Sequence, residues 1–173
     1  METITVTHST AAILEVLRGQ MNMVNSVVRR NLGGITHDES LTAPGTGGNC
    51  CNWVLGHLVN SNEQMLEMLG QPAVLEEETL RRYRRGSPEL HDRAEALPLE
   101  KLLAAWEESC VRIDAGLGSM SQERFDAPAP FSPRNKADET IGSLLTVIVF
   151  HQAYHAGQLG VLRRVTGKEG AIK

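Results

Sequence analysis

Four stretches of this chain place apolar residues at three- and four-residue steps, and segments rich in glycine and proline separate them. That period fits one face of an α-helix rather than the alternation of a half-exposed strand. The first stretch runs from about Ser9 to Asn31, with Ile13, Leu14, Leu17, Met21, Val24 and Val28 on one stripe. Ser9 or Thr10 can cap its start and Gly33-Gly34 ends it. The second runs from about Cys50 to Leu69, with Asn49 as N-cap and Gly70 as stop, and its main apolar face is Leu55, Leu58, Val59, Leu66 and Leu69. Leu99 to Leu117 forms the third, with Leu102, Leu103, Trp106, Cys110, Ile113 and Leu117 inward. The fourth spans roughly Asp138 to Thr166, capped by Asp138 and stopped by Gly167.

No segment alternates convincingly between polar and apolar residues, so the expected fold class is all-α. Four helices of about 20 residues, each about 30 Å long, make a four-helix bundle the economical arrangement. The 173 residues fit one domain, 1–173, with a sizeable core. Three connections are long: the glycine-rich 33–48, the charged 71–96 with Gly86-Ser87-Pro88, and the stretch holding Pro128, Pro130 and Pro133. The helices therefore need not alternate simply up and down.

A net charge of −4 argues against a nucleic-acid or anionic-membrane binder. The one basic run, Arg81-Arg82-Tyr83-Arg84-Arg85, follows Glu76-Glu77-Glu78 and reads as a solvated or salt-bridged loop, or as a border of a cavity that attracts an anionic substrate. No run of about 18 apolar residues is present to span a bilayer. The first residues have neither the basic nor the apolar part of a signal peptide. Cys50, Cys51 and Cys110 are odd in number and lack a zinc-type spacing, which suits reduced thiols. A cytoplasmic protein is expected.

The chemistry concentrates in the fourth helix, IGSLLTVIVFHQAYHAGQLGVLRR. His151 and His155 are four residues apart and share a helix face. Ile148, Leu144, Leu159 and Leu162 continue the same side, so the two imidazoles occupy positions that a bundle fills with aliphatic side chains. Buried unpartnered imidazoles are costly, and a shared metal ion removes the cost by taking both as neutral ligands. The spacing is also that of the zinc-protease helix HExxH, but the second position is Gln152, which cannot act as its general base. Gln158, three residues after His155, is placed either to bond a metal-bound water or to sit on a polar rim. His57 lies at the border of the second helix's apolar face, and Trp53, one turn earlier, reads as core packing or as a wall that orients the imidazole.

The segment Trp53–His57, W-x-x-x-H, together with His151–Leu159, HQAYHAGQL, then Arg163 or Arg164 and Gly167, resembles the DinB/YfiT-like, damage-inducible-type family. The resemblance spans the chain from the first helix to the last. It implies an up-down-down-up bundle, often a homodimer, with a divalent ion held by His57, His151 and His155. It also implies metal-dependent chemistry on a small molecule, in relatives that include transferases of low-molecular-weight thiols, thiol-dependent isomerases and some hydrolases.

Three protein ligands leave coordination positions open, as a catalytic ion requires. Thiolate activation and transfer onto an electrophilic small molecule is the leading expectation, with zinc, nickel, iron or cobalt as the metal. Metal-assisted hydrolysis is the alternative, and a non-enzymatic metal-binding module is the third. Cys50, two turns from His57, reads as a small buried hydrophobe. Glu63 and Glu67 fall on the outer face of the second helix, and His8, His37 and His91 are taken as surface residues.

Overall fold

The computed structural model describes residues 9–45, 47–90 and 93–172. Their regular structure is helical: α1 (Thr10–Leu32), α2 (His37–Ser40), α3 (Cys51–Met68), α4 (Leu99–Ser119), α5 (Gln122–Asp126) and α6 (Ile141–Val165). Two 3-10 turns lie at Arg81–Tyr83 and Arg93–Glu95. Among the described residues there is no strand, only an isolated bridge between Pro128 and Thr140. No helix is long and apolar enough to cross a membrane.

The four long helices lie where the periodicity puts them, and the differences are at their ends. Ser9 caps α1, its hydroxyl accepting from the Ala12 amide at 3.3 Å. Cys50, not Asn49, is the cap residue of α3, and it makes no side-chain capping bond. Thr140, not Asp138, caps α6. The reason is reciprocity. Thr140 Oγ1 accepts from the Ser143 amide at 3.2 Å, and Ser143 Oγ accepts from the Thr140 amide at 3.1 Å. Asp138 lies too far out to join and pairs with Lys136 at 3.5 Å.

Two short helices were not expected. Both start on local caps: Thr36 and Glu39 form a capping box for α2, and Ser121 caps α5. His37, expected at the surface, is half-buried and accepts from the Leu99 amide at 3.3 Å. It thereby serves the start of α4, where Pro98 offers no side-chain cap. His8 and His91 lie outside the described residues.

Each long helix packs on two others: α1 and α3 both pack against α4 and α6. One core cluster joins Val24, Val28 and Leu32 of α1, Leu55 and Leu58 of α3, Leu102 and Trp106 of α4, and Leu159 of α6. The other joins Leu14 and Met21 of α1, Met65 and Leu66 of α3, Ile113 and Leu117 of α4, and Leu144 and Leu145 of α6. Fully burying each such side chain contributes about 1.5–3 kcal/mol before entropy is counted.

The sequence suggests one apolar face for α3, yet every residue from Cys51 to Val59 is buried. The 71–96 connection folds over the helix instead of looping away, and it lays the buried Leu80 and Tyr83 against it. Between α3, α4 and α6 runs a polar relay inside the core. Gln152 Nε2 donates to Asn62 Oδ1 at 2.6 Å, Asn62 Nδ2 donates to Ser109 Oγ at 2.7 Å, and Ser109 Oγ donates to the Trp106 carbonyl at 2.8 Å. The residue whose identity argues against a protease therefore has a structural task, which is to tie α6 to α3 next to His151.

Candidate metal centre

His57 is buried on α3, and its orientation comes from the connection that covers the helix. Its Nδ1 lies 2.8 Å from the Tyr83 carbonyl. A carbonyl only accepts, so Nδ1 carries the proton and Nε2 is left with its lone pair. Tyr83 reaches this place because the preceding residue is Gly56: a Cβ there would stand inside the Tyr83 ring. The phenol hydroxyl locks the turn further, donating to Asn52 Oδ1 at 2.9 Å and accepting from the Leu97 amide at 2.8 Å. Trp53 stacks on the His57 ring with centroids 4.9 Å apart and planes 16° from parallel. Its indole N–H donates to Ser87 Oγ at 3.0 Å, so the ring that packs in the core also holds the imidazole plane.

On α6, His151 and His155 face His57 across the α3–α6 contact. His151 Nε2 lies 3.1 Å from His57 Nε2 and 3.0 Å from His155 Nε2. Gln158 Oε1 accepts from His155 Nδ1 at 2.7 Å, which fixes the same tautomer as in His57. Gln158 in turn donates to the Tyr154 hydroxyl at 3.2 Å. Its place is therefore behind the imidazole, holding the ring, rather than on the side where a bound water would lie. Ser61 Oγ stands 3.5 Å from His151 Nδ1.

Two rings thus aim Nε2 lone pairs at one point, and a proton on His151 Nε2 could satisfy only one of them. A cation at that point satisfies all three. The ligand nitrogens of His57, His151 and His155 lie within 4.8 Å of one another, a group that could hold a metal ion. Nitrogens about 2.0–2.1 Å from one tetrahedral ion stand about 3.3 Å apart, close to the spacing seen. The rings meet edge to face, at 70–74°. With both Nδ1 protons committed to acceptors, the donor set fits a divalent ion and fits an apolar core poorly.

The electrostatics agree. Burial pushes the His57 pKa down against the opposing Tyr83 hydrogen bond. Burial, then the positive forms of His155 and His57, bring His151 down to about 4. Burial also lowers His155, against the bond to Gln158. All three are neutral at pH 7, the state that binds metal.

The histidines form part of the wall of a cleft of about 1650 Å³, whose other sides include Trp53, Ile148, Phe131 and Tyr154. Glu63 and Glu67, expected on an outer face, line the same cleft. The connection after α3 turns back over that side, and Glu63 accepts from the Val74 and Leu75 amides at 3.0 Å each. Cys50 is buried, and burial raises its thiol pKa, overriding the helix-start effect that would lower it. Burial pushes Cys51 and Cys110 up to about 12. Tyr83 carried no signal of its own in the sequence, because it acts through its backbone carbonyl. Gly56 was the trace of it: a glycine in the middle of a buried helix, directly before the histidine.

An all-helical protein with three converging neutral histidines belongs to the class of helical proteins able to hold a metal ion between facing helices. The sequence matches the DinB superfamily over residues 20–159, and the chain belongs to that superfamily. No curated protein matches the sequence. Among solved structures, the crystal structure of a conserved protein from Enterococcus faecalis is similar, with a TM-score of 0.66 at 16% identity over 89% of this chain and 97% of that one. At that identity the likeness speaks for the fold alone.

Proposed function

We propose that His57, His151 and His155 hold a divalent metal ion and that the chain is a metal-dependent transferase of a low-molecular-weight thiol onto an electrophilic small molecule. The observation that carries the metal is the convergence of three Nε2 atoms whose partner nitrogens, in His57 and His155, are already committed to Tyr83 and Gln158. When bound, a zinc, nickel or iron ion supplies open positions that favour the deprotonated form of a thiol at neutral pH. The chain's own residues do the rest. Tyr83 and Gln158 hold the ligand rings, Trp53 keeps water from one face of His57, and the cleft receives both co-substrates. The thiol proton leaves to solvent, sulfur bonds to the electrophilic carbon, and the leaving group departs with its electron pair.

Hydrolysis by a metal-activated water is the second reading, with Glu63 and Glu67 on the cleft wall as the carboxylates that could act as base. Two further readings belong with this one. The four long helices are read as an up-down-down-up bundle, supported by Arg18–Asp114 and Arg29–Glu107 between α1 and α4 and by Asn52–Leu97 and Asn62–Ser109 beside or along α3 and α4. A homodimer in the cytoplasm fits the exposed Phe150, Tyr154 and Val161 on α6 and the three free, buried thiols.

Elemental analysis of protein purified without added metal tests the metal, with about one ion per chain expected and essentially none in His151→Ala. Full occupancy in that variant would sink the assignment. A panel of thiols with electrophilic acceptors, run beside esters and amides, tests the reaction. Turnover of esters or amides with none in the thiol arm would replace transfer by hydrolysis.

A further inference from the structure

The basic run after the first 3-10 turn is mostly neutralised where it stands. Arg81 pairs with Glu78 at 3.3 Å, Arg82 pairs with Glu95 at 2.9 Å, and Arg84 pairs with Glu77. Arg85 is exposed and makes no ion pair among the described residues. It lines the same cleft as the three histidines, where among the described residues the only other guanidinium is the paired Arg84.

Nor is Arg85 on a loose loop. Two residues before it, Tyr83 is buried against Gly56 and bonded to His57 through its carbonyl. Two residues after it, Ser87 accepts from the Trp53 indole and donates to the Arg82 carbonyl at 2.8 Å. The turn that orients the histidine therefore also carries the unpaired Arg85.

We infer that this cleft takes a small organic carboxylate, with Arg85 as the residue that binds the carboxylate while the histidine cluster faces the rest of the molecule. The inference rests on reading the cleft as the reaction site. A planar guanidinium can pair both carboxylate oxygens at once. The apolar wall of Trp53, Ile148, Phe131 and Tyr154 suits a hydrocarbon or aromatic body. At the Arg85 end a phosphate dianion is disfavoured, because Arg85 is the one unpaired guanidinium on the described wall and Glu63, Glu67 and Glu77 share it.

The test uses benzoate, benzamide and inorganic phosphate as probes, titrated by NMR into the full chain, metal-free and zinc-loaded, as wild type, Arg85→Gln and Arg81→Gln. Wild type should bind benzoate about tenfold more tightly than benzamide, and Arg85→Gln should lose that preference. Arg81→Gln should keep it, and the zinc affinity of Arg85→Gln should equal that of wild type. In the metal-free chain, a preference for benzoate that survives Arg85→Gln, equal binding of benzoate and benzamide to wild type, or phosphate binding as tightly as benzoate would each overturn the inference. Failure of the metal reading shows separately, as a wild type that takes no zinc while the metal-free benzoate arm still reports on Arg85.

Discussion

Two lengths of the same helices differ in kind. Towards the start of α6, Leu144, Leu145 and Ile148 share an aliphatic cluster with Met65 and Leu66 of α3. Further along, inward positions of the two helices carry His57, Ser61, His151 and His155. The aliphatic length gains by excluding water and needs nothing more. The imidazole length buries polar groups whose lone pairs face one another, which costs free energy until something positive lies between them. The polar relay from Gln152 through Asn62 to Ser109 sits at the border between the two lengths.

Exchanging damage between the two lengths gives the largest expected effects. Leu145→Ala should cost about 2–5 kcal/mol in denaturant titration and leave metal content unchanged. His151→Ala should do the reverse, removing the metal while the metal-free fold keeps its midpoint. If Leu145→Ala strips the metal as fully as His151→Ala does, the two lengths are one unit and the contrast fails. At the border, Gln152→Leu leaves the buried Asn62 Oδ1 without its donor, at an expected cost of about 1–3 kcal/mol by the same titration. A variant as stable as wild type would show that the relay does not hold the helices in register.

Gln158→Leu acts one step behind His155. Losing the acceptor for His155 Nδ1–H should weaken zinc binding by about tenfold in a chelator competition, with little change in the metal-free melting temperature. Unchanged affinity would mean that helix geometry alone orients His155.

The smallest effect expected is in pH, because the cleft is open to solvent. The folded chain holds the three histidines below the ordinary value of 6.5, with His151 near 4. A group whose pKa is lower folded than unfolded adds stability that is complete above the unfolded value and lost as pH falls through the folded one. The metal-free protein should therefore lose melting temperature between pH 6.5 and about 4, and His151→Ala should lose less of it. Equal slopes in the two proteins would locate the acid sensitivity elsewhere.

The four long helices were legible in the sequence because burial imposes a period that each helix displays locally. His151 and His155 were legible for the same reason, since one turn of one helix brings them together. His57 was a candidate on position alone, and the family likeness named it as their partner. Caps were less legible, because Thr140 and Asp138 are both acceptable cap residues and only the returning bond from Ser143 separates them.

Metal chemistry was therefore suggested by residue type and helical spacing, which are properties of the chain itself. What closes the group was settled only by tertiary contact. The 71–96 connection folds back over α3, a backbone carbonyl of Tyr83 fixes the His57 tautomer, and Arg85 comes to the same cleft unpaired. A carbonyl is the same in every residue, and an ion pair depends on which acid the fold brings near. Gly56 and the basic run hint at both in the order of the amino acids, but only the fold says which carbonyl meets His57 and which arginine stays unpaired.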